Sequence, residues 1–112
     1  MANVRAAHAA DIRMVAGTDV YFLHGLGVHW ELELLVAAGL SPLEALRAAT
    51  SNAAATLGLE GRLGSIAPGA IADLVVLEAD PLEDIRNTLK IHTVVKDGKV
   101  IDRGALLASR QE

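Results

Sequence analysis

The sequence predicts an α/β chain, helical with one buried strand in its first half and rich in strands and turns in its second. Alanine-rich, helix-forming text with capping signals runs to about Gly58 and is interrupted by one short apolar run, Ile12 to Ala16. Beyond Gly61 the text becomes β-branched and alternating, and Gly and Pro punctuate it. Hydrophobic residues make up 52 % of the 112, yet only three are aromatic, so a core must be assembled from closely packed Ala, Leu, Val and Ile. A chain of this length buries roughly two-thirds of its unfolded surface and holds at most one domain.

Asn3 to Ala10 has strong helix propensity and ends at Asp11, ahead of the predicted strand Ile12 to Ala16. After a loop, HWELELLVAAG predicts a helix over Trp30 to Gly39, with Leu32, Leu35 and Val36 on one face and Gly39 as its stop. In SPLEALRAAT, Ser41 is an N-cap, Pro42 takes the first helical position and Glu44 follows the cap by three residues, a capping box. SNAAATLGL predicts a third, shorter helix, capped by Thr50 or Ser51 and stopped at Gly58. Ala72 to Leu77 predicts a strand, and KIHTVVKDGKVID alternates around Asp97-Gly98, the strongest hairpin signal in the chain. RGALLASRQE reads as a polar tail with a short helical start.

A strand that is apolar on both faces needs parallel neighbours and helices on either side, and this chain supplies few of them. Residues 1–60 therefore read as the end of a longer α/β unit, and residues 61–112 as strands of a separate β layer with a tail. The formal charge is −4 and no cluster of Lys or Arg stands out, which argues against nucleic acid and anionic membranes as partners. No uncharged apolar run approaches the ~18 residues of a membrane span. Without cysteine there is no disulfide framework, thiolate ligand or thiol nucleophile. The expectation is a soluble, cytoplasmic protein with a small-molecule or protein partner.

The stretch AGTD, and then HWELELLVAAGLSPLEALRAATSNAAATLGLEGRLGSIAPGAIADLVVLEADPLEDIRNTLKIHTVVKDGKVIDRGALL, closely resembles the C-terminal part of metal-dependent amidohydrolases, on the imidazolonepropionase-like and prolidase-like side of that superfamily. GTD alone is a weak signal. EALRAAT.N.A..LGL followed by G.IAPG..ADLVVL at this spacing is a strong one. The resemblance implies a (β/α)₈ barrel with a small β-sandwich built from both chain ends. Ile12 to Ala16 would be the last barrel strand and Trp30 to Gly39 its helix; Ala72 to Leu77 and Thr93 to Ile101 would be returning sandwich strands. It also implies hydrolysis of C–N bonds in cyclic amides, dipeptides or related small molecules, with a divalent metal, zinc by expectation, in the complete enzyme.

Asp19 stands where the last strand empties into a glycine-bearing loop, and in such barrels the loops at strand ends converge on one pocket. By the resemblance, Asp19 is both a metal ligand and the catalytic proton carrier. That role needs a carboxylate, which coordinates a cation, accepts a proton from water and passes it to the leaving nitrogen. An asparagine does only the first, and poorly; as a bare GTD, the alternative is a turn cap. His29, followed by Trp30-Glu31-Leu32, matches the family's H-x-E-L, and His24-Gly25 resembles the HG of some relatives. Both are candidate substrate-binding residues, with a polar residue at a helix N-terminus as the plainer reading of His29.

The family's other ligands, a His-x-His pair, a bridging Lys or Glu and two later histidines, find no match, because His8, His24, His29 and His92 include no such pair. A hydrolytic site needs about three protein ligands plus water. The chain alone is therefore expected to hold no metal tightly and to be inactive. The alternative is a non-enzymatic module that forms a homo-oligomer or binds an upstream fragment. It would do so through the strand Ile12 to Ala16 and through Leu32, Leu35, Val36, Leu43 and Leu46, unless the helices fold back and bury them.

Other polar features have structural readings. Asp73 is expected to accept from backbone donors of the Pro68-Gly69 turn, and Thr50, Ser51 and Asn52 read as caps. Gly58, Gly61 and Gly64 lack the Lys-Ser/Thr of a phosphate loop. Glu78, Asp80, Glu83 and Asp84 form a solvated, capped corner. His8 and His92 are surface or partly packed residues.

Overall fold

Short pieces from distant parts of the chain meet to form the core. The computed structural model describes residues 1–19 and 25–108. Helix α1 (Ala2–Ala9) is followed by α2 (Leu26–Ala37), α3 (Pro42–Ala49) and α4 (Ser51–Thr56). Strand β1 (Leu74–Leu77), a 3₁₀ helix (Ile85–Leu89), strands β2 (Ile91–Lys96) and β3 (Lys99–Val100) and helix α5 (Arg103–Ala108) complete the order. Leu32 and Leu35 of α2 pack with Leu40, with Ala45 and Ala48 of α3, and with Ile85 of the 3₁₀ helix. Ala45 and Ala48 retain no exposed area; their methyl groups let the two helices approach closely and fill the gap with dispersion contacts.

The α2–α3 turn follows its sequence signals. Gly39 takes φ +114, Ser41 Oγ accepts from Glu44 N, and Glu44 Oε2 accepts from Ser41 N at 2.7 Å, closing the capping box. Hydrogen bonds from Ser41 hold the Glu44 carboxyl below its ordinary range. Thr50 departs from expectation: its hydroxyl donates to Leu46 O at 2.7 Å instead of capping α4. It still lies within reach of α3's last turn, and that carbonyl is the nearer partner.

Strands β1, β2 and β3 form one antiparallel sheet in that order. Val95 and Lys96 pair with Val100 and Lys99, and Asp97 (φ +50) and Gly98 (φ +74) make the two-residue turn. Left-handed conformation at both central positions matches the twist of the strands. Asp73 serves this turn and not the Pro68-Gly69 turn: its carboxylate accepts from Asp97 N at 2.8 Å and pairs with Lys96. The pairing explains the difference, because Leu74 opposite Val95 puts Asp73 beside Lys96 and Asp97. At the acidic corner, Asp84 caps the 3₁₀ helix through Arg86 N at 2.9 Å. The Arg86 side chain beside it lowers the Asp84 carboxyl to about 2.

The structure corrects three further expectations. Ile12 to Ala16 forms no strand, because no other part of the described chain lies alongside it to complete a ladder. Two ties hold it instead: Ala16 N donates to Ala48 O at 3.0 Å, and Asn52 Nδ2 donates to Met14 O at 2.9 Å. The two-residue spacing of those ties is that of a strand edge. Helix α2 starts at Leu26, four residues before Trp30, because Gly25 at φ +85 turns the chain into it and Gly27 tolerates helical geometry against Thr18. Leu32 and Leu35 are core residues, Val36 and Leu46 are partly buried against them, and only Leu43 of the expected free apolar face is exposed.

The radius of gyration is 15.2 Å and the extents are 47 × 32 × 27 Å, whereas a compact domain of this length measures roughly 13 Å. Exposed Ile12, Leu34, Ile66 and Val100 accompany this extended shape. Among the described residues, no helix is long and apolar enough to cross a membrane.

Gly64 sets how the chain returns beneath α4. At φ +78, a Cβ there would lie 2.6 Å from Thr50 O and 2.9 Å from Ala54 Cβ, whereas Gly61 at φ +77 has nothing within 4 Å. Gly61→Ala therefore carries only the backbone cost of about 1–2 kcal/mol. Gly64→Ala adds about 1–3 kcal/mol of overpacking. Urea unfolding of the two variants measures the difference, and equal losses would refute the close approach of Gly64 to α4.

Candidate active site

Past Ala16, helix α2 takes over the anchoring: Gly17 N donates to Glu31 Oε1 at 2.7 Å, and Thr18 packs 3.6 Å from where a Cβ on Gly27 would sit. Asp19 follows, exposed and at φ +48. Asp11 and Asp97 share that left-handed geometry in turns, so the backbone of Asp19 is one that aspartate tolerates and does not by itself mark a strained catalytic residue.

Beside this turn lies an open, mainly apolar cavity of 330 Å³ lined by Val4, Gly17, Thr18, Trp30, Glu31 and Leu34, among others. The second oxygen of Glu31, Oε2, is buried and has no hydrogen-bond partner among the described residues. A carboxylate oxygen left in that condition costs on the order of 1–3 kcal/mol.

His29 bonds to the 3₁₀ helix. Its Nδ1 lies 2.9 Å from Thr88 Oγ1 on the 3₁₀ helix, and Thr88 Oγ1 in turn donates its single proton to Ile85 O at 2.9 Å. The threonine oxygen is left as an acceptor, so Nδ1 of His29 carries the hydrogen and Nε2 keeps its lone pair when the ring is neutral. Burial pushes the His29 pKa below 6.5, opposed by the charge of Glu33.

The structure thus puts Asp19 at the end of the tied segment and His29 against the 3₁₀ helix, while the cavity beside Thr18 is lined by the two residues that follow His29. His24 lies outside the described residues. Among the described residues, no three His, Asp or Glu side chains gather as a group able to hold a metal. Asp19 alone does not fit a hydrolytic centre that needs about three protein ligands. Three polar residues take parts that the sequence did not assign to them: Glu31, read only within the H-x-E-L match, Asn52, expected to cap a helix and instead bonded to Met14 O, and Thr88. Glu31 carries a readable signal, since it lies one turn before buried Leu35, and a carboxylate on a buried face calls for a donor.

The chain belongs to the amidohydrolase family, whose sequence profile matches residues 1–101. In sequence it is 45 % identical over 62 residues to the imidazolonepropionase of Ralstonia nicotianae, an alignment covering 53 % of this chain and 15 % of that enzyme. In structure it superposes on a Xaa-Pro dipeptidase with methionine bound in its active site, with a TM-score of 0.84 at 32 % identity, over 89 % of this chain and 25 % of that one. It superposes on molinate hydrolase with a TM-score of 0.84 at 31 % identity, over 94 % of this chain and 27 % of that one. The chain therefore spans a small part of the length of the proteins it resembles.

The His29–Thr88 geometry has two measurable consequences. Long-range ¹⁵N spectra of the neutral ring should show the proton on Nδ1, and Thr88→Val should remove that preference. The folded pKa of His29 is lowered, so its contribution to stability is fully present above the unfolded value of 6.5 and is lost as pH falls through the folded value. Urea unfolding between about pH 7.5 and pH 5 should lose stability less steeply in His29→Gln; an unchanged slope would contradict the assignment.

Proposed function

We propose that this chain is the C-terminal part of a metal-dependent amidohydrolase that cleaves C–N bonds in cyclic amides, dipeptides or related small molecules. In this reading residues 1–60 supply the last strand and helices of a (β/α)₈ barrel, and residues 61–112 supply strands of its β-sandwich. Asp19 would supply one carboxylate to a divalent metal, zinc by preference, which would activate water for attack, and its carboxylate would carry the proton from that water to the leaving nitrogen. The other ligands come from outside this chain, which is inactive alone. His24 and His29 contact the substrate, His29 through Nε2, the nitrogen that its bond to Thr88 leaves unprotonated.

The position of Asp19 carries the reading. The segment before it is tied at strand spacing to α3 and α4, and Asp19 is the exposed carboxylate at its exit. Barrel enzymes use that location for catalysis. Assays with amides and dipeptides test it. The chain extended by its upstream sequence should turn over substrate, the chain alone should not, and Asp19→Asn should lower the rate by on the order of 100-fold or more with little loss of stability. Full-rate hydrolysis by Asp19→Asn would remove Asp19 from the chemistry.

A second reading, a self-associating module, is supported by the outer face of α2. Trp30 and Leu34 are 49 % and 57 % exposed beside the apolar cavity, and such patches mark interaction surfaces. Sedimentation at micromolar concentration decides. A dimer abolished by Leu34→Glu would support association through this face, and a monomer would refute it.

A further inference from the structure

We propose that Glu31 is the positioning residue for Asp19, holding the Gly17–Thr18–Asp19 turn in place from α2 through its bond to the Gly17 amide. The proposal rests on the reading of Asp19 as the working carboxylate and adds to it the residue that aims that carboxylate.

Three observations carry it. First, crowding at Gly17 does not set the turn, because a Cβ there would meet nothing within 4 Å. Second, the ties at Met14 and Ala16 stop short of the turn and run to α3 and α4, while Gly17 and Thr18 are both engaged by α2, through Glu31 Oε1 at 2.7 Å and the 3.6 Å approach at Gly27. Third, Glu31 keeps its carboxylate on the buried side of α2 with Oε2 lacking a donor among the described residues. A glutamate serving solubility would turn outward. This one accepts the cost of a buried oxygen while its partner oxygen makes a short bond to a backbone N–H, the acceptor that a neighbouring strand's carbonyl would otherwise provide. Asp19 is two residues on, so a shift in Gly17 moves its carboxylate, and displacements near 1 Å at a reacting group cost about 100-fold in rate.

Hydrogen exchange and residual dipolar couplings measured by NMR on the 112-residue chain test this without any assay of hydrolysis. In the parent protein the Gly17 amide should be protected. In Glu31→Ala it should exchange faster by on the order of 10- to 100-fold, and the Asp19 amide coupling should leave the fit to the folded structure. Protection at Leu35, Ala45 and the Ala16 amide, which bonds to Ala48 O, should persist. Glu31→Gln, which keeps the acceptor oxygen and removes the charge, should restore Gly17 protection and the Asp19 coupling together. Where Glu31→Ala loses the core amides as well, Glu31→Met, which keeps the side-chain stem without the oxygen, makes the same comparison. An unprotected Gly17 in the parent, an unmoved Asp19 coupling in the Ala or Met variant, or a Gln variant that behaves like Ala would each overturn the proposal. A catalytically silent Asp19→Asn would instead remove the reading beneath it and leave these spectra unchanged.

Discussion

Everything else in the structure is attached to the packing of Leu32 and Leu35. Helix α3 lies on them through Ala45 and Ala48, and the 3₁₀ helix reaches them through Ile85 from fifty residues further along the chain. The polar connections then follow the apolar one. His29 meets Thr88 because Ile85 has brought the 3₁₀ helix against α2, and Glu31 meets Gly17 because Met14 and Ala16 pack at the edge of the same cluster. In a core with so few buried side chains, truncating either leucine costs about 2–5 kcal/mol, a large share of the roughly 5–15 kcal/mol that holds an ordinary domain together.

What could be read from the sequence was chemistry that closes locally. Ser41, Pro42 and Glu44 specify a helix start within four residues because that motif contains both the donor and the acceptor it needs, and Asp97-Gly98 specifies a two-residue turn because both residues tolerate the left-handed backbone it requires. Asp73 shows where this stops. Its type and exposure were legible, but its partner depended on the register between β1 and β2, which no local pattern states. The same holds for Ile12 to Ala16. Its apolar text is that of a strand, and a strand exists only when a neighbour supplies the other half of the ladder. Gly25 and Gly27 hid the start of α2, since glycine has poor helix propensity and only the contact with Thr18 reveals why it is accommodated.

The candidate site divides along the same line. Asp19 could be singled out because its residue type and its place after an apolar run are both visible in the text. Glu31 could be marked as a carboxylate on a buried helix face, but its partner could not, because that partner is a backbone amide fourteen residues away. His29 stands between the two cases: its residue type was legible, while its tautomer follows from Thr88, a residue that reads as ordinary helix-turn text. Family membership widens the frame without removing this limit, since the similarity spans most of this chain and a small fraction of its relatives.

The segment from Ile12 to Val15 bears on how the chain behaves in crowded solution. Its ties at Met14 and Ala16 face α3 and α4, and the backbone amides of Arg13 and Val15 have no partner among the described residues. An open edge flanked by exposed Ile12 and Val15 is a template on which further copies can stack. Arg13 is exposed in its middle, and in-register stacking would repeat that positive charge every ~4.8 Å. Such repulsion guards the edge only while it reaches across the stack. Salt shortens that reach to about 3 Å at molar concentration, so the charge of Arg13 opposes in-register stacking at low ionic strength and is screened at high.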